Sequence, residues 1–531
     1  MYDYIIANGA IIDGTGSAGY NGDIGIEGDR IAAIGDLTRA DTRERIDARG
    51  LTVAPGFIDM HTHSDFTLLV NGAAENQVHQ GVTLEAIGQC GHGCAPVSDP
   101  AAFAKTIIGY HQGVDIAWDS FEEYLAHLEK RSLGVNVVAL VGHGPIYRAI
   151  KGENSSPVSP DELKKMIKLL EAALEEGAFG FTTGLEYWPG SISRLEDIVE
   201  LCKVLPRYDA LYATHVRNRD LFYDLGFVEA LSTARVSEAR LQISHIQPKF
   251  GAPTYAMDHT IDMIDRAIHC GVDVGFDVIP DVWSFTTMSS ILPTWAFEGG
   301  VSKILESLSS EEVRKKLKFN PKPIWQLVKE KKWDKIALFR ADHSPELVGL
   351  TFDEIGQTLN KDPHDAVFDI LLKEGDNLYN ATWTSQSFSD QDIILCLQQP
   401  ICGVISDNIA LAPYGILKDT RWSPTAYNWT ARFFEHYVKT EKVLTLPEAI
   451  QRITEFPAQR LGLKRRGLLK PGYAADITIF DLNKMVDKST LKRPNVYPEG
   501  IVNVFVNGSL ELSNGERTPA NGGLVIRRNS N

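Results

Sequence analysis

Four histidines and an aspartate stand where a metal ion could gather them. In Phe57-Ile58-Asp59-Met60-His61-Thr62-His63 an apolar run leads into His-x-His. On a strand, residues i and i+2 project to the same face, so both imidazoles could reach one ion. Two more histidines close later apolar runs, at Tyr212-Ala213-Thr214-His215 and Gln242-Ile243-Ser244-His245, and Gly403-Val404-Ile405-Ser406-Asp407 closes a further one. Alone, each signal is weak, because strand-end histidines are often structural and aspartate is a common turn and cap residue. Order gives them weight: if parallel strands converge at their C-terminal ends, the five side chains become neighbours. A carboxylate among them could then ligate metal and take a proton from water.

The elements that would position these residues follow from texture. Short apolar runs at Val137 to Leu140, Ala178 to Thr182, Leu211 to Thr214, Leu241 to Ile243, Val272 to Phe276 and Ile401 to Ser406 alternate with amphipathic stretches, the pattern of repeated βα units around a parallel sheet. Helices are predicted at Pro160 to Glu176, capped by Ser159, at Ser193 to Leu205 and at Leu446 to Thr454. The expected fold class is α/β, a metal-dependent (β/α)8 TIM-like barrel over residues 55–464. Residues 1–54 and 465–531 share short alternating strands and Asn-Gly or Asp-Gly turns. They predict one small β-sandwich domain built from both termini. Residues 282–350 break the rhythm with Lys-rich helical sequence and no clear buried strand, and read as an insertion, or lid, over the barrel mouth.

Bulk properties narrow the class. The chain has 531 residues, 44% of them hydrophobic, and a net charge of −16. It can bury a large core, and its charge argues against a broad footprint for nucleic acid or anionic membrane. A small-molecule substrate fits better, and self-association into a homo-oligomer is compatible with this composition. Six cysteines are too sparse for a disulfide framework. With no signal-like start, a cytoplasmic location is expected, and no apolar run is long enough to span a membrane.

The Pro55-Gly56 turn, the apolar strand, His61-x-His63 and Asp65 resemble the first-strand signature of the amidohydrolase superfamily. The stretch Gly81-Val82-Thr83-Leu84-Glu85-Ala86-Ile87-Gly88-Gln89-Cys90-Gly91 is similar to its N-acyl-D-amino-acid deacylase (D-aminoacylase) branch, where a cysteine takes the place of a bridging lysine. Val141-Gly142-His143-Gly144, Thr183 to Gly190, Leu292-Pro293-Thr294-Trp295, Phe456 to Leu463 and Arg466 to Ile477 are further matches, so the resemblance spans nearly the whole chain. It implies a Zn²⁺ enzyme with metal ligands His61, His63, Cys90, His215, His245 and Asp407. One zinc would sit tightly near Cys90, His215 and His245, with a second, weaker position served by His61 and His63. Asp407 would be the general base and acid in hydrolysis of an N-acyl-amino-acid amide. Implied substrate contacts are His143, Tyr187, Arg217, Gln247, Ser289 and Ser290, with His143 or Tyr187 steadying the oxyanion.

The chain departs from that branch around the substrate. Gln247 stands where the branch carries a carboxylate-binding lysine, with Lys249 two positions late; Arg-Asp-Glu reads Arg217-Asn218-Arg219; and Trp422-Ser423-Pro424 replaces a His-Pro-Arg-like run. These changes keep open a second substrate class, another N-acyl compound or a cyclic amide or imide. A non-catalytic scaffold is disfavoured, since every expected ligand is present.

Overall fold

The computed structural model describes residues 1–111, 113–319 and 325–530. Both chain ends enter one nine-stranded sheet. Tyr2–Ile11, Tyr20–Glu27, Arg30–Gly35, Thr42–Asp47 and Thr52–Pro55 come from one end; Ile477–Phe480, Ile501–Val506, Ser509–Ser513 and Glu516–Arg517 come from the other. The halves join where Thr52–Pro55 runs antiparallel to Ile477–Phe480. Alternation along the strands puts Ile24, Ile26, Val53, Ile477, Ile479 and Phe505 into one apolar cluster.

Phe57–Asp59, Val82–Ile87 and Asn136–Ala139 form a parallel sheet, and Val141–Gly142, Gly180–Gly184, Leu211–His215, Arg240–Ile243, Val274–Val278 and Cys402–Val404 form a second. Apart from half-buried Arg240, every residue of these strands is buried, which explains why they read as near-continuous apolar runs. Hydrogen bonds pass between the two sheets at both edges. Phe179 N donates to Ala139 O at 2.9 Å, His63 N donates to Asn408 O at 2.6 Å and Asp407 N donates to His61 O at 3.1 Å.

The connecting helices follow their local signals. Helix Pro160–Glu175 starts with Pro at its first position and a reciprocal Ser159–Glu162 capping box, and buries Met166, Leu170, Ala173 and Leu174 along one stripe. Leu195–Cys202 and Leu446–Arg452 lie where helices are predicted. The expectation of no buried strand within 282–350 is incorrect. Ile336–Arg340 is buried throughout and pairs antiparallel with Thr382–Gln386, which also pairs with Trp283–Thr287. Its five-residue run, Ile336-Ala337-Leu338-Phe339-Arg340, is masked in sequence by the lysines before it. The unit also reaches past 350, because its central strand lies at 382–386. Among the described residues no helix is long and apolar enough to cross a membrane.

Ser159→Ala removes a hydroxyl that accepts from Glu162 N at 3.3 Å, and should cost about 1 kcal/mol. Urea unfolding followed by circular dichroism measures this as a lower midpoint with an unchanged native spectrum.

Candidate metal centre and substrate cavity

The side chains that follow the parallel strands meet at one end of them. Cys90 Sγ lies 3.3 Å from His61 Nε2, 3.3 Å from His245 Nε2 and 3.7 Å from His215 Nδ1. His215 Nδ1 is 3.1 Å from His245 Nε2. Asp407 Oδ1 is 3.1 Å from His63 Nε2 and 3.4 Å from His61 Nε2. Two groups of potential ligands result, His61–His63–Cys90–Asp407 and Cys90–His215–His245, each with donor atoms within 4.8 Å of one another and all residues buried. Cys90 belongs to both.

Backbone strain accompanies this convergence. Cys90, His245 and Asp407 have φ of 52°, 35° and 56°, the left-handed region that L-residues rarely adopt. Such conformations persist where surroundings over-determine them. His245 N donates to Asp277 Oδ1 at 2.6 Å, while Gln242 Nε2 donates to the other carboxylate oxygen at 2.8 Å. Asp59 accepts from Ser406 N at 3.2 Å and from Gln77 Nε2 at 3.2 Å, tying the first strand to the last. Next to Cys90, Gly91 must be glycine, since a Cβ there would stand 2.6 Å from Gly184 N.

The electrostatics fit a cation. Burial disfavours a thiolate at Cys90, but the charge of His61 and hydrogen bonds from His215 and His245 outweigh it and hold the thiol pKa well below its usual value, while burial pushes His245 itself down to about 3 and keeps it a neutral imidazole. Asp407 behaves alike: burial opposes its charge, and His61 and His63 lower its pKa well below the carboxylate range. Against the cost of burial, His63 is raised to about 9 by Asp407 and Cys90. Imidazolium thus balances two buried anions, a task that a divalent metal performs while freeing the imidazoles to ligate. The mixed thiolate, imidazole and carboxylate donors suit zinc-like ions.

Glu186 supplies an outer support. Its Oε2 lies 2.7 Å from His215 Nε2 and accepts from Lys249 Nζ at 2.8 Å. Burial opposes its charge, yet Lys249 and His215 bring its pKa down to about 2. A carboxylate on the far nitrogen fixes the His215 tautomer and aims Nδ1 at the centre, as is usual for ligating histidines.

Above the centre, a cavity is lined by Tyr187, Arg219, Thr286, Thr287, Phe285 and Trp422 as well as His63, Cys90, His215, His245 and Asp407. An adjoining one is lined by Glu186, Tyr187, Trp188, Ser289, Ser290 and Leu292, among others. The strand Trp283–Thr287 contributes to both, so the inserted sheet walls the cavity. Of the predicted substrate contacts, Tyr187, Ser289 and Ser290 line these spaces. His143, Arg217 and Gln247 are not among the residues lining these two spaces. His143 opens a helix, packs near Tyr147 and Phe181, and lies 3.4 Å from Ser193 Oγ. Arg217 pairs with Glu229 at 2.8 Å and donates to the carbonyls of Gly190, Ser191 and Ser193. Gln247 is fully buried and donates to Ile279 O at 2.6 Å.

Sequence reasoning missed Glu186, Arg219, His92, Asp59 and Asp277. Acidic residues inside otherwise apolar strands, as in Phe276-Asp277-Val278, were a usable signal, since a buried carboxylate needs a partner. His92, between the His63 and Tyr187 rings at 5.8 and 5.6 Å, carried none.

Cys90→Ala should reduce bound metal at both positions, since the residue is common to both groups. Glu186→Gln should weaken metal affinity about 10- to 100-fold with the fold unchanged; competition with a chromogenic chelator measures both.

A profile of the Amidohydrolase family matches residues 44–201 and 414–510. The chain is 29% identical over 541 residues to the D-aminoacylase of Alcaligenes xylosoxydans xylosoxydans, covering 99% of this chain and 98% of that protein. It is 30% identical over 506 residues to an N-acyl-D-glutamate deacylase of the same organism, covering 95% and 93%. Among solved structures, N-acyl-D-glutamate deacylase from Bordetella bronchiseptica, complexed with zinc and a phosphonate mimic of the tetrahedral intermediate, matches with a TM-score of 0.83 and 28% identity over 99% of each chain. With near-complete coverage in both directions and the Cys90-centred cluster in place, the chain belongs to the N-acyl-D-amino-acid deacylase family of amidohydrolases.

Proposed function

We propose that this protein is a zinc-dependent amidohydrolase that cleaves the amide of an N-acyl-D-amino acid to a carboxylate and a free amine. One observation carries the reading: a buried cysteine shared by two groups of metal-binding side chains, in a chain similar along its length to D-aminoacylase and N-acyl-D-glutamate deacylase. Cys90, His215 and His245 would hold the tighter zinc; His61, His63 and Asp407, with Cys90, would serve the second position. Zinc so held supplies Lewis acidity and makes water nucleophilic near neutral pH.

The protein's own residues move the proton and shape the substrate. Asp407, kept as a carboxylate beside His61 and His63, takes the proton of the attacking water and returns it to the leaving nitrogen. Burial keeps Tyr187 a phenol, able to donate to the developing oxyanion. Its ring packs edge-on against His215 at 4.7 Å, and its hydroxyl accepts from Thr286 Oγ1 at 3.3 Å. Trp422 and Phe285, 5.5 Å apart, offer an apolar wall.

The scaffold is read in the same way. The two parallel sheets are best taken as one (β/α)8 barrel over 55–464, with 136–139 and 141–142 counted as one strand; the hydrogen bonds between them at both edges support this. The nine-stranded sheet from 1–54 and 465–531 is read as the β-sandwich domain, and the unit around 282–387 as the insertion beside the cavity.

An uncharged or cyclic amide is the second reading, favoured by Gln247 at the place of a carboxylate-binding lysine. Metal analysis and a panel of N-acyl-D-amino acids, their L-isomers and uncharged amides separate the two. The expected result is zinc with release of amino acid from D-substrates only; turnover confined to uncharged amides would overturn the substrate assignment. Asp407→Asn should lower kcat by about 10²- to 10⁴-fold.

A further inference from the structure

Arg219 is 4% exposed and lines the cavity that holds Cys90, His215, His245 and Asp407. One nitrogen is engaged: Nη1 donates to His245 O at 2.6 Å. Its Nε is buried without a hydrogen-bond partner, and no ion pair to Arg219 is found among the described residues. The guanidinium lies 5.8 Å from the Phe388 ring, an arrangement that orients it without neutralising it.

The other cations near the cavity are committed elsewhere. Lys249 is paired with Glu186 at 2.8 Å, and Glu186 also faces His215. Arg148 is paired with Glu153 at 3.3 Å and sits over the Trp188 ring. Gln247 carries no charge and donates to Ile279 O. The nearby Glu186 carboxylate feels the charge of Arg219 but is bonded to Lys249 and His215, so a buried guanidinium lining the cavity is left to take a further anion.

We infer that Arg219 is the specificity-determining anchor for the carboxylate of the amino-acid half of the substrate. The inference rests on the deacylase reading above. Guanidinium suits a carboxylate because its planar donors can engage both oxygens. The carbonyl it already binds belongs to His245, itself beside Cys90. A carboxylate one carbon from the scissile nitrogen fits that closeness better than one at the tip of a side chain.

The test compares N-acetyl-D-amino acids with their carboxamides, by steady-state kinetics on the zinc-loaded protein and by calorimetric binding to the Asp407→Asn protein. In Arg219→Met the ratio of kcat/KM for carboxylate over carboxamide should fall on the order of 10- to 100-fold, through KM, as expected for loss of a charge-assisted hydrogen bond. Arg219→Lys should recover part of it, and calorimetry should show the same loss of preference. Equal losses on both ligands, or an unchanged ratio, would overturn the anchor while leaving the deacylase reading intact. Arg219-dependent binding of carboxylates without hydrolysis of any of them would leave the anchor standing and overturn the deacylase reading.

Discussion

A thiolate buried at the ends of parallel strands needs positive charge around it, and much of this architecture serves that need. Cys90 has His61, His215 and His245 within 3.7 Å, and Asp407 completes the cluster through His61 and His63. Apart from His61 and His63, these groups are far apart in sequence. Parallel strands bring them together because their C-terminal ends lie at one face. The positive φ values at Cys90, His245 and Asp407 show that the backbone is bent out of its ordinary conformations to aim them. Asp277 and Asp59 hold those bends in place by accepting backbone N–H groups, so the support layer is as much a part of the site as the ligands.

The convergence of His61, His63, His215, His245 and Asp407 was legible in the sequence because they stand at the ends of apolar runs, and an apolar run followed by a polar chelating residue has few structural uses. Cys90 was legible only through family resemblance: a small buried thiol between glycines looks like packing. Helix Pro160–Glu175 was legible to within one residue, since Ser159, Pro160 and Glu162 encode its start locally. Residues in the turns beyond the strands were read less well. His143, Arg217 and Gln247 engage neighbouring backbone or side chains, and the direction of a side chain in a turn is set by tertiary contacts. The same holds for Glu186 and Arg219, whose roles depend on partners across the fold. The inserted sheet was hidden because its central strand, Thr382–Gln386, lies about 40 residues past its edge strand Ile336–Arg340.

Chemistry and specificity are carried by different parts of this fold. The strand ends supply a compact cluster of potential metal ligands, while Tyr187, Arg219, Phe285 and Trp422 come from the loops and inserted sheet around it.

The central claim is that the Cys90 thiolate ligates the metal, and cobalt(II) substitution tests it most directly. Cobalt-loaded protein should show an intense near-ultraviolet thiolate-to-metal charge-transfer band that disappears in Cys90→Ala and persists in Cys94→Ala, whose thiol is buried and raised well above its ordinary pKa by that burial. A cobalt-loaded protein without the band, or one that keeps it after Cys90→Ala, would contradict the account.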